Sequence, residues 1–101
     1  MSEKTEAGRH VVVTDYHRGV CYGRLVEWDR DRRIAVLEDA RAVYYWAKND
    51  KAPGLFGLAV AGPAKGSRVG PFLGRVEVTE VAKILDCEPE AVDAWASAEW
   101  S

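Results

Sequence analysis

Residues 10–28 read HVVVTDYHRGVCYGRLVEW, and this stretch decides the fold class. Val11, Val12, Val13 and Thr14 are β-branched, so His10 to Tyr16 reads as a strand. Side chains alternate across a strand, which places Val11 and Val13 on one face and Val12 and Thr14 on the other. His17-Arg18-Gly19 is turn chemistry, because glycine tolerates positive φ. Val20 to Trp28 then reads as the returning strand. Gly23 inside it predicts a bulge or a close approach by another group.

Working outward, Asp29 to Arg32 is a charged turn and Arg33 to Glu38 a third strand. Asp39-Ala40-Arg41 interrupts the pattern, and Ala42 to Trp46 resumes it with strong strand formers. This is the signature of an antiparallel meander. Leu55 to Ala61 is an apolar run of strand length, read as a buried strand. Arg68 to Gly74 reads as irregular or as a short edge segment, and Arg75 to Val78 as a strand. Residues 79–86 fit a strand or a helical stripe equally. Pro89 suits the first turn of a helix, and Ala91, Val92, Trp95 and Ala96 share one apolar face. Trp95 is the expected anchor of that helix. The expected fold is α+β: an antiparallel sheet of about five to six strands with a short C-terminal helix packed on it. Residues 1–8 read as a flexible polar tail and 9–101 as a single domain.

Composition narrows the function classes. The chain has 101 residues and a formal net charge of −2. That balance predicts no bulk attraction for nucleic acid or an anionic membrane. No apolar run approaches a membrane span, and the first residues lack the apolar core of a signal peptide. With only Cys21 and Cys87, far apart in sequence, a reduced, cytoplasmic protein is expected, and Cys21 is read as a buried inert thiol. His10 and His17 have no metal-ligand spacing around them. Gly62 to Ser67 lacks the Gly-Lys-Ser/Thr ending of a phosphate loop, which excludes an NTPase. No nucleophile, base and orienting group can be assembled, so no enzyme, no cofactor and no metal are expected.

The charge is unevenly spread. Residues 51–75 carry Lys51, Lys65, Arg68 and Arg75 and no acid, together with six of the nine glycines and three of the four prolines. Residues 76–101 set Lys83 against seven acids. Glycine lets backbone N–H groups approach an anion, and Arg68 offers a bidentate fork to phosphate. Tyr44, Tyr45, Trp46, Phe56 and Phe72 flank this region and supply rings on which a base could stack. The expected ligand-binding residues are Arg18, Tyr45, Trp46, Lys65 and Arg68. The competing structural reading assigns the glycines and prolines to turns and the lysines to solubility. Exposed aromatic strand area, with Trp100 near the end, predicts a homo-oligomer, a dimer or higher.

The chain resembles a family of small tailed-phage and prophage proteins of unknown function. The carriers are Val12-Val13-Thr14 leading to His17-Arg18-Gly19-Val20, and Asp39-Ala40-Arg41 leading to Tyr45-Trp46. Gly57-Leu58-Ala59 leading to Gly62-Pro63, Arg68-Val69-Gly70-Pro71, and Glu90-Ala91-Val92 leading to Trp95 complete the set. More distantly, the plan of a sheet followed by a C-terminal helix is similar to the phage sponges that counter Thoeris immunity. That resemblance implies a protein in the host cytoplasm that sequesters a cyclic ADP-ribose-type signal without cleaving it, between subunits. The alternative expectation is a protein-interaction module that inhibits a host enzyme, using the acidic C-terminal segment against a basic partner.

Overall fold

The computed structural model describes residues 9–17, 19–47 and 54–99. The proposed tail at 1–8 and the penultimate Trp100 lie outside these residues. The strands are β1 (His10–Asp15), β2 (Val20–Asp29), β3 (Ile34–Tyr45), β4 (Arg68–Val69), β5 (Leu73–Val78) and β6 (Val81–Asp86). Helix α1 (Leu55–Val60) precedes β4, and α2 (Pro89–Ser97) follows β6. All strand pairs are antiparallel. The expected α+β architecture, a sheet of this size carrying a short C-terminal helix, is the one observed.

The sheet runs β5-β3-β2-β1-β6, with β4 beside the far end of β3. Its two outer strands, β5 and β6, are consecutive in the chain and separated only by Thr79 and Glu80. So short a link between opposite edges forces the sheet to curl. The seam is fastened where Val81 N–H donates to Arg33 O at 3.0 Å and Tyr16 N–H to Glu80 O at 3.1 Å. Arg33 Nε returns a bond to Val81 O at 2.7 Å.

Curling gives the sheet two buried faces. The inner cluster holds Val11, Val13, Leu25, Ala35, Leu37, Ala40, Val78 and Val81. The outer cluster holds Val12, Val20, Tyr22, Val43 and Val69 beneath Leu58 and Ala59 of α1 and Ala91 and Trp95 of α2. Adjacent valines of β1 therefore enter different cores, as alternation requires. Trp95 is fully buried and stacks on Tyr22 with ring centroids 4.7 Å apart. Its indole N–H donates to Leu58 O at 3.0 Å, so one side chain ties α2 to both β2 and α1. Gly23 faces Leu37 and Ala40 so closely that a Cβ there would lie 3.0 Å from Leu37 Cβ. The β2–β3 register shifts at the same point, so the expected bulge and the expected close approach coincide.

Three sequence expectations change. Leu55 to Ala61 is a helix, not a strand: Gly57, Leu58 and Ala59 are buried while Phe56 and Val60 are exposed. A short run that is apolar at every position carries no period to separate the two. Residues 39–41 do not end a strand. Asp39 takes φ 51, which bends β3 where Gly23 bulges opposite, and the strand runs on to Tyr45. Residues 79–86 resolve into a tight turn and β6, because an unpaired edge of β1 was there to template a strand.

Candidate ligand-binding site

Beyond Ala42, β3 leaves the body of the sheet and pairs only with β4. Val43 and Val69 stay buried and root this ribbon in the outer core. The register then shifts by an irregularity between Val43 and Tyr45, and the next partners are Tyr45 and Arg68. Both side chains are exposed. The ribbon continues where the Ala47 N–H donates to Ser67 Oγ at 2.9 Å. Two residues singled out separately in sequence are thus backbone partners on adjacent strands, one aromatic and one cationic, both exposed.

The other expected residues are distributed differently. Trp46 is half-buried against the outer cluster, so only part of its ring is available. Lys65 sits in the turn before β4, where Ser67 N–H donates to Ala64 O at 3.0 Å. It lines a separate groove of about 380 Å³ between that turn and the C-terminal half of α2, with Ala94, Ser97 and Glu99. That groove includes neither Tyr45 nor Arg68. Gly62, at φ 81, brings the chain close to α2: a Cβ there would meet Ala94 Cβ at 2.6 Å. Arg18 lies outside the described residues.

Electrostatics separate Lys65 and Arg68 from three of the other cations. Arg9 pairs with Asp86 at 2.9 Å, Arg24 with Glu38 at 2.8 Å, and Arg32 with Asp29 at 4.0 Å. Lys65, Arg68, Arg30, Arg75 and Lys83 form no ion pair with a described residue. Arg68 is the one among these whose register partner is an aromatic residue of another strand.

Sequence reasoning missed Arg41. It is 2% exposed, donates from Nε to Gly70 O at 2.8 Å and from Nη1 to Trp95 O at 2.6 Å. Phe72 lies over its guanidinium at 4.6 Å. Burial pulls its pKa below the ordinary guanidinium value. Trp95 O belongs to the last turn of α2, where carbonyls lack intrahelical donors and the helix dipole favours a cation. The available signal was an arginine flanked by Ala40 and Ala42 in a stretch that otherwise reads as strand. The thiols are poor nucleophiles: burial pushes Cys21 to about 11 and Cys87 to about 12. Among the described residues no group of histidines, cysteines and carboxylates is arranged to hold a metal. No helix among them is long and apolar enough to cross a membrane.

A family model matches residues 8–95, and the chain belongs to that family, DUF6948, a domain of unknown function. No curated protein sequence matches. Among solved structures, a heptameric archaeal Sm protein, presented for its implications for the eukaryotic snRNP core, superposes with a TM-score of 0.53. The identity is 18%, over 86% of this chain and 97% of that one. At that identity the likeness establishes the fold: the curled sheet is Sm-like.

Proposed function

We propose that this protein is a self-associating, non-catalytic binding protein that captures a nucleotide-like ligand on the Tyr45–Arg68 strip. The observation that carries the reading is the pairing of β4 with β3, which makes Arg68, without an ion pair to a described residue, the backbone partner of the exposed Tyr45. A base stacks on Tyr45, and phosphate takes the fork of Arg68. Trp46 borders the stacked base. The high thiol pKa values and the absence of a metal cluster among the described residues favour capture over turnover. The net charge of −2 favours a single nucleotide over a polynucleotide. The resemblance to phage proteins makes a cyclic ADP-ribose-type immune signal, sequestered intact in the host cytoplasm, the ligand to test first. Self-association is supported by the edges of β5 and β6, each paired on one side only among the described residues. An Sm protein of similar fold is heptameric.

Titration calorimetry with cyclic ADP-ribose and ADP-ribose tests the site. Arg68→Ala should weaken binding about ten- to a hundredfold, the worth of a hydrogen bond to a charged group. Arg68→Lys should recover little, because a point charge does not reproduce the fork. Arg30→Ala should bind like the parent. Ligand released by heat should be chemically intact. Equal affinity of folded Arg68→Ala and the parent removes this site.

One observation favours a second reading, a protein-interaction module. Helix α2 and its flanks present Glu88, Asp93 and Glu99 to solvent, a surface suited to a basic protein partner. A nucleotide-binding protein gains thermal stability with its ligand, whereas an interaction module gains none.

A further inference from the structure

We propose that the open mouth of the curled sheet is a second ligand site, independent of the Tyr45–Arg68 strip and opposite to it in charge preference, which takes a compact apolar amine.

The mouth lies where the β1–β2 turn faces the segment entering β5, and it encloses about 480 Å³. Small-molecule sites span roughly 300–1,000 Å³. Its floor is aliphatic, from Val13, Val20, Ala40 and Val78, all part of the buried interior. Its rim carries large apolar residues beside the polar Glu77 and Thr79. Tyr44, Phe72 and Leu73 stand there 64%, 51% and 58% exposed. An apolar depression ringed by exposed aromatic residues marks a binding surface. Tyr44 and Tyr45 belong to different places: Tyr44 lines the mouth, whereas Tyr45 is the partner of Arg68 beyond the irregularity in β3.

Charge identifies the occupant. Among the described residues the lining includes the acids Asp15 and Glu77 and no lysine, arginine or histidine. Asp15 Oδ1 is used, accepting the N–H groups of His17 and Gly19 at 2.8 Å each. Oδ2 accepts no hydrogen bond from a described residue. It remains available to an ammonium group or another donor. Of the positive groups nearby, Arg41 lies behind Phe72 and spends its donors on Gly70 O and Trp95 O, and the His17 imidazole, which feels the Asp15 charge, is directed to Glu80. Aromatic faces together with a carboxylate oxygen are the usual recognition set for an organic cation.

Two probes of nearly the same shape and opposite charge test the proposal on the full chain: 1-naphthylmethylamine and 1-naphthylacetate. The amine should bind at least about tenfold more tightly, as expected for a charge-assisted hydrogen bond. Asp15→Asn retains Oδ1 for the turn and should erase that preference. Ala42→Trp fills the mouth from a solvent-exposed position, so the variant should fold by circular dichroism and lose both probes. Arg68→Ala should leave amine binding unchanged, which keeps this site distinct from the first. Equal affinity of the parent for the two probes overturns the proposal. So does an undiminished preference in Asp15→Asn, or parent-like binding by folded Ala42→Trp. Failure of the folded parent to bind the amine at about 1 mM, the weak end of specific affinity, does the same.

Discussion

The two faces of the curled sheet are stabilised by different means. The buried inner core is aliphatic, with Val11, Val13, Leu25, Leu37 and Val81 each at most 1% exposed, and half-buried Cys21, Trp28, Val76 and Ile84 pack against it. The outer core is concentrated on a few large groups. Trp95 stacks on Tyr22, Tyr22 Oη lies 2.9 Å from His10 Nδ1, and Arg41 bridges β3 to the β4–β5 link and to α2. Burial pushes the Tyr22 hydroxyl to about 12, which keeps it neutral in this network. The inner core distributes its stabilisation over many interchangeable methyl groups. The outer core places it on polar tips whose partners sit on elements distant in sequence. Both proposed ligand sites lie at the boundary between the two, on the stretch of β3 that leaves the sheet.

Substitutions can break this contrast in graded steps. Trp95→Ala should have the largest effect, a loss of about 3–5 kcal/mol, the range for deleting a buried aromatic residue. It should also detach α2, seen as lost helical signal in circular dichroism and early hydrogen exchange over residues 89–97. Trp95→Phe tests the polar tip separately: it keeps most of the ring but removes the indole donor, leaving Leu58 O with the Gly62 N–H alone. Leu37→Ala should cost about 2–5 kcal/mol in denaturant titration and leave α2 docked, because the inner core does not touch that helix. If Leu37→Ala frees α2 as Trp95→Ala does, the two cores are one cooperative unit and the distinction is lost.

Arg41→Met sharpens the outer-core side. Methionine fills much of the same volume without charge, so the desolvation cost of the guanidinium disappears while Gly70 O and Trp95 O lose their donor. The net effect should be a loss of about 1–3 kcal/mol, the cost of an unsatisfied buried polar group. Hydrogen exchange should quicken at Gly70, whose N–H bonds Ala42 O at 2.8 Å. A more stable variant would show that the charge is retained for some purpose other than stability.

The smallest effect belongs to the seam. His17 Nε2 lies 3.0 Å from a Glu80 carboxylate oxygen, and this hydrogen bond and charge raise the His17 pKa above 6.5. A raised histidine pKa stabilises the fold at pH below the unfolded value, and the contribution disappears as pH rises through the folded one. The imidazole is exposed, so the effect should be small and salt-sensitive. An NMR titration should report a pKa above 6.5 in the parent that falls back toward 6.5 in Glu80→Gln.

Several features of this protein follow from sequence alone. Residues 10–28 specify two strands and a turn, because β-branched runs broken by glycine admit few other conformations. Pro89 and the Ala91, Val92, Trp95 face specify the last helix, and Trp95 its anchor. Gly23 marks its own bulge. Local chemistry was sufficient in each case. Other features arise only from contacts between distant residues. Leu55 to Val60 is helical because it caps the outer core beside α2, not because its pattern has a helical period. Residues 81–86 form a strand because β1 offers an unpaired edge. Tyr45 and Arg68 were visible as an aromatic and a cation, but their adjacency depends on β4 folding back on β3 from 23 positions away. The mouth was not visible at all. Val13, Tyr44, Phe72 and Val78 carry no shared motif, and a cavity exists there only because the curl of the sheet brings four separate segments around one space.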